Sequence, residues 1–234
     1  MVSIALPMEG IPTLLTDSYD GMYEAVVHLI EVHGLRRLAF VRGPEGHFYA
    51  EERYRAYVDA LKAHDIPLDP NLVTPHGDFT SSTGVEGIRL LVDERGLRPG
   101  TDFEAVVMVS DMFVLNALEE IEARAIRVPG DVALVGFNDA KEGRFVTPPL
   151  TSVRLPFYEQ GRKAVEMVLA LIEGEKVPDQ ATLPSELVVR RSCGCESSAV
   201  VQAAVRDEIG VDQAMGEFEE VLGPVWAERL LDTF

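Results

Sequence analysis

The sequence predicts an α/β fold built on a doubly wound parallel sheet, and three observations carry that expectation. Short apolar runs alternate with longer amphipathic segments from Leu35 to Val189, the order expected of repeated strand–helix–strand units. One run, Ala105-Val-Val-Met-Val109, is apolar without alternation, as in a strand covered on both faces. The stretch Asp131-Val-Ala-Leu-Val-Gly-Phe-Asn-Asp139 reads as a buried strand that presents polar side chains at its carboxyl end. Pro148-Pro-Leu-Thr-Ser-Val-Arg154 then fixes a crossing into a further strand.

The elements follow in order. Ser3-Ile-Ala-Leu6 and Thr13-Leu-Leu15 are short strands, and a helix is expected from Tyr19 to His33. Arg37-Leu-Ala-Phe-Val41 is a strand with its exit turn at Gly43-Pro44. Glu51 to His64 carries Tyr54, Tyr57, Val58 and Leu61 at helical spacing. Asn71-Leu-Val-Thr74 reads as a strand, and 83–94 as a helix with Val85, Ile88, Leu91 and Val92 on one face. After strand 105–109 come a helix from Asp111 to Arg124 and the strand Val132–Val135. A helix from Phe157 to Glu173 and a strand from Glu186 to Arg190 close the pattern. From Glu196 onward no strand pattern remains; acidic residues dominate, and Val221, Leu222, Trp226 and Leu230 form an apolar stripe. That tail reads as one or two amphipathic helices with a break near Gly223-Pro224.

Composition bounds the function. The chain has 234 residues, 47% of them hydrophobic, enough for one large domain or two small ones with real cores. Its net charge of -18 argues against nucleic-acid binding by this chain alone, because phosphate contacts need clustered Lys and Arg. No apolar run approaches the roughly 18 residues of a membrane helix. Met1-Val-Ser-Ile-Ala-Leu-Pro lacks the basic start of a secretory leader, and the only cysteines are Cys193 and Cys195. A reduced, cytoplasmic protein is expected.

Motifs for catalysis and metal binding are absent from the expectation as well. Cys193 and Cys195, one residue apart, are poorly spaced for a mutual disulfide and too few for a zinc site unaided. His28 and His33, five apart on one expected helix, point off a common face, so no metal site and no cofactor is anticipated. Neither a Gly-x-Ser-x-Gly elbow nor a phosphate-cradling Gly-x-x-x-x-Gly-Lys occurs. An enzyme is not expected.

Several ordered motifs carry a resemblance: Asp20-Gly-Met-Tyr-Glu-Ala-Val-Val-His-Leu29, His33-Gly-Leu-Arg-Arg-Leu-Ala-Phe-Val-Arg-Gly-Pro44, Glu52-Arg-Tyr-Arg-Ala-Tyr57, Gly77-Asp-Phe-Thr80, Val109-Ser-Asp-Met112, 128–137 and 148–154. Over about residues 1–195 the chain resembles the effector-binding domain of the lactose-repressor/galactose-repressor family, whose fold is periplasmic-binding-protein-like, type I. The resemblance implies a partial first lobe (1–16 and 152–192), a complete second lobe (17–151) and a helical linker or tail (193–234). The family carries an N-terminal helix-turn-helix, which nothing in this sequence matches, so the resemblance is to an effector domain truncated at its N-terminus. It also implies a sensor that takes a small sugar-like effector between its lobes and pairs as a homodimer, with no direct nucleic-acid contact and no membrane. Ser192-Cys-Gly-Cys195 followed by an acidic stretch is similar to relatives whose sensor domain is joined to a diguanylate cyclase or histidine kinase. A non-binding dimerisation or interaction module is the alternative.

The same resemblance nominates ligand-binding residues. Arg53 offers a rigid fork of donors suited to hydroxyls or a carboxylate, against an ordinary ion pair with Glu51, Glu52 or Asp59. Phe79 matches an aromatic that packs on the ligand, against a plug at the core edge, and Phe157 matches another at the hinge side of the cleft, against a core position. Ser110 matches a polar contact. Asp111 stands at a helix start, where capping alone explains a carboxylate. Asn138 replaces a ligand-binding aspartate by an amide, and Asp139 has a structural role.

Overall fold

The apolar runs anticipated from sequence become strands β3 (Leu38–Val41), β4 (Ala105–Met108) and β5 (Ala133–Phe137), and the strand expected after the Pro-Pro crossing becomes β6 (Thr151–Arg154) of the same sheet. In the order β3-β4-β5-β6 all are parallel, and β8 (Glu186–Val188) closes the sheet antiparallel to β6. The computed structural model describes residues 1–80 and 82–196. The chain divides into two units, Met1–Cys195 and Glu196–Phe234. The expected helical tail thus lies, from residue 197, outside the described residues.

Every residue of β3, β4 and β5 is buried, which follows from helices on both faces. Helix α1 (Tyr19–Glu31) packs with α2 (Phe48–Ala63), and α3 (Ser82–Arg89) packs with α4 (Asp111–Ala123). Right-handed crossovers put the two pairs on opposite faces. Between α2 and α3 the chain touches the outer side of β3 through a single parallel bridge, Phe40 to Val73. It then returns across β3 to form β4, so the winding reverses between β3 and β4. The central core joins Phe40, Tyr57, Val107, Phe113 and Val135.

Two local expectations change. Asn71–Thr74 is not a strand: Pro70–Leu72 form a 3-10 turn, begun by Asp69, whose carboxylate accepts from the Asn71 N–H at 2.8 Å. The expected helix 83–94 is α-helical only to Arg89, and Leu90–Glu94 continue as a π-helical turn.

A second, smaller parallel sheet has the order β1 (Ser3–Ile4), β2 (Thr13–Thr16), β7 (Gln180–Leu183). Helix α5 (Phe157–Ile172) covers it through Leu14, Ala164 and Met167. Three connections pass between the sheets: β2 to α1, β6 to α5, and β7 to β8. Strands β6 and β8, assigned from sequence mainly to the first lobe, pair with each other at the edge of the larger sheet. Thr151 and Ser152 are fully buried there and pair with Val135 and Gly136 of β5.

Candidate functional site

A reversal of winding in an open parallel sheet leaves a crevice at the carboxyl ends of the two strands involved. Here those ends are Val41 to Gly43 and Met108 to Ser110, and the polar end of β5 lies beside them.

Arg53 enters this crevice from α2 and is only 5% exposed. Its Nη1 donates to the Val109 carbonyl at 2.6 Å. Nε and Nη2 reach the Ser18 hydroxyl at 3.4 and 3.3 Å. The guanidinium carbon lies 3.7 Å over the centre of the Phe137 ring. None of its hydrogen bonds goes to a carboxylate, so the ion pair with Glu51, Glu52 or Asp59 does not form; Glu51 and Glu52 pair with Arg42 and Arg55, and Asp59 accepts from Tyr19. Burial pulls the guanidinium down to about 9, opposed by the charges of Tyr49 and Asp111.

Ser110 is the N-cap of α4, its hydroxyl accepting from the Met112 N–H at 3.3 Å. The cap expected of Asp111 therefore falls to its neighbour. Asp111 is buried and turned inward: its carboxylate accepts from the Ser152 hydroxyl at 2.7 Å and the Ala140 N–H at 2.6 Å. Burial raises its pKa, with those two bonds opposing.

Asn138 and Asp139 both hold positive φ, 107° and 50°, at the end of β5. Such strain in non-glycine residues concentrates at sites. Asn138 is half-buried, and its backbone N–H donates to the Val153 carbonyl at 2.7 Å. Asp139 is structural, as expected: its side chain is 1% exposed and pairs with Arg144, Arg154 and Arg190 at 2.8, 2.7 and 2.5 Å. Burial alone would raise its carboxyl, but the Arg154 and Arg190 bonds and charges outweigh this and hold it below the ordinary value.

Phe79 is 46% exposed, too open for a core plug. It meets His47 edge-on at 4.8 Å and lies 6.0 Å from Phe113 of α4. Phe157 is 58% exposed at the first position of α5, so it too is not core. No hydrogen bond or ring contact joins Phe157 to the other nominees among the described residues. The structure thus gathers Arg53, Ser110, Asp111 and Asn138 around the ends of β4 and β5, with Phe79 on the flank. Ser18, the Val109 carbonyl and Phe137 complete the setting of Arg53 and were not anticipated.

One expectation is overturned. α1 ends at Glu31, and the chain turns back so that the Leu35 N–H donates to the Leu29 carbonyl at 3.1 Å. His33 is therefore off the helix, and its ring lies 5.1 Å from that of His28. The His28 imidazole meets Cys193 and Cys195, and that of His33 meets Cys195; the two cysteines are not disulfide-bonded.

Residues 26–193 match the family model described as a periplasmic binding protein-like domain. The chain is 35% identical over 190 residues to the HTH-type transcriptional regulator CelR of Thermobifida fusca, covering 81% of this chain and 54% of that protein. It is 33% identical over 187 residues to the HTH-type transcriptional repressor CytR of Escherichia coli (strain K12), covering 80% and 53%. The chain thus spans about half the length of these relatives, which are regulators and not enzymes. Among solved structures, a CelR–cellobiose complex superposes with a TM-score of 0.72 at 34% identity, over 82% of this chain and 58% of that one. A LacI-family regulatory protein from Chloroflexus aggregans gives 0.74 at 28% identity, over 82% and 67%. The winding reversal, the crevice beside it and these matches agree that the chain belongs to the periplasmic-binding-protein-like family, as an effector-binding domain of LacI type.

Proposed function

We propose that this domain binds a small, hydroxyl-rich, sugar-like effector in the crevice above β3, β4 and β5, and that the bound state is read by a regulatory output. Arg53 carries the proposal. A buried guanidinium without a carboxylate is costly unless something else uses its charge and donors. Stacked on Phe137 and steered by Ser18 and Val109, it has fixed geometry before any ligand arrives, which lowers the entropic cost of binding. Phe79 offers an exposed ring face for an apolar sugar face, and Ser110 and Asn138 offer polar groups at the strand ends. Asp111 serves from behind, fixing the β5–β6 connection through Ser152 and Ala140. Cellobiose in the CelR complex makes disaccharides the first class to try. Transcriptional control by the longer protein, its homodimerisation and a cytoplasmic location belong to the same proposal; no helix of the described residues is long and apolar enough to cross a membrane.

Calorimetric titration with cellobiose, monosaccharides, sugar phosphates and nucleosides tests it. Saturable binding to one class is expected, weakened about 10- to 100-fold in Arg53→Ala, as for loss of hydrogen bonds to a charged group. A folded chain that binds none of them would refute the proposal.

A second reading, a module that mainly pairs with another chain, is favoured by α5. Its Tyr158, Val165, Leu169 and Ile172 are all exposed. Sedimentation at micromolar concentration tests it: a monomer counts against this second reading.

A further inference from the structure

His28, His33, Cys193 and Cys195 each offer one donor atom, and the four atoms lie within 4.8 Å of one another. His28 Nε2 is 3.3 Å from His33 Nε2, 3.5 Å from Cys193 Sγ and 3.6 Å from Cys195 Sγ. Cys195 Sγ is 3.4 Å from His33 Nε2. These lengths have a physical meaning. Bonds of about 2.0 Å to nitrogen and about 2.3 Å to sulfur, at tetrahedral angles, set edges of about 3.3 Å between nitrogens and about 3.5 Å between nitrogen and sulfur. The four edges among His28, His33, Cys195 and the His28–Cys193 pair fall near those values, and the remaining edges lie within 4.8 Å.

Protons satisfy the arrangement only in part: the Cys193 thiol can donate to the Arg190 carbonyl at 3.2 Å, but the other three groups face one another. A neutral imidazole Nε2 has either one hydrogen or one lone pair. The Nε2 of His28 faces three donor atoms at once, and a nitrogen facing a nitrogen needs opposite tautomers on the two rings. A cation at the centre satisfies all four atoms together. The local backbone supports convergence: Gly194, with φ of 110°, hooks the chain so that both flanking sulfurs face the same way.

We infer that these four residues form a structural Cys2His2 site for a divalent zinc ion. Two thiolates and two imidazoles suit a borderline-soft ion with tetrahedral preference, and four protein ligands leave no open position for catalysis. Binding releases the two thiol protons to solvent. The ion staples the last turn before residue 196 to the end of α1, joining ligands 165 residues apart. The spacing His-x4-His is ordinary for zinc, while Cys-x-Cys is one residue shorter than usual and relies on Gly194.

The untagged full chain, reduced, is equilibrated with zinc chloride and freed of excess ion by gel filtration. Atomic emission is expected to find one zinc per chain, falling to near zero in the Cys193→Ser, Cys195→Ser double variant. Cobalt(II) added to the unaltered, zinc-free chain gives a reading that does not depend on variants folding. Intense visible bands of a tetrahedral ion with a near-ultraviolet thiolate band are expected. A weak octahedral cobalt spectrum would overturn the inference. So would the absence of retained zinc, or a double variant that keeps its full complement.

Discussion

Arg53 is held by one hydroxyl, one main-chain carbonyl and one ring face, and each makes a different demand on a substitution. Lysine keeps the charge but loses the planar fork and the stacking. Arg53→Lys is expected to weaken effector binding almost as far as alanine while changing melting by only a few degrees, which a thermal melt run beside the calorimetry will show. Asp139 is the opposite case, a carboxylate saturated by three arginines. Asp139→Asn leaves the half-buried Arg190 without its partner, and a loss of about 3 kcal/mol in urea unfolding is expected. Residue types at these positions were legible in the chain, because arginine, serine, asparagine and phenylalanine stood in recognisable motifs. The Val109 carbonyl was not, since a main-chain acceptor has no letter. His33 was misplaced because a periodicity argument assumes the helix continues, and here it stops at Glu31.

Helices α3 and α4 approach until backbone meets backbone. A methyl group added at Gly84 would lie 2.0 Å from the Phe113 carbonyl oxygen and 2.8 Å from its Cα. Neither atom belongs to a flexible side chain, so the helices must part. Gly84→Ala is expected to cost about 3 kcal/mol, measured as a lower denaturant midpoint with the helix content of the native state retained. Because α4 carries Ser110 and Asp111 at its start, effector affinity is expected to fall as well. Strands β3, β4 and β5 could be read because they are apolar runs buried along their whole length. β7 could not: Gln180-Ala-Thr-Leu183 sits between Pro178 and Pro184 with alternate residues exposed, a polar edge with little periodic signal. Asn71–Thr74 misled for the reverse reason, since a β-like composition follows a proline that starts a turn and only Val73 bridges to β3.

Across the whole domain, acidic groups and arginines are paired in one direction of pH. Asp139 and Asp131 are held below the ordinary carboxylate value, Asp131 down to about 2 by its hydrogen bonds with Arg127. A depressed native pKa contributes stability above the unfolded value of about 3.9 and loses it as pH falls through the native one. Asp111, raised by burial, acts oppositely and favours the native state as it takes up its proton. Melting temperature is therefore expected to be nearly flat from neutral to about pH 5 and to drop below about pH 4, with the drop reduced in Asp139→Asn. Circular-dichroism melts across that range check the sign. The domain's layered α/β plan was readable from alternation alone, whereas the division of β6 and β8 between sheets was not, since it depends on pairing partners far apart in sequence. Helix α1 links the two ends of this story. Ser18, at its start, touches Arg53; His28, in its last turn, touches the residues where the chain leaves toward its acidic tail. At 1.5 Å per residue the helix is a rod of about 20 Å, stiff on the scale of a ligand's movements. An effector held by Arg53 would therefore sit one helix length from the turn at which the chain leaves the domain.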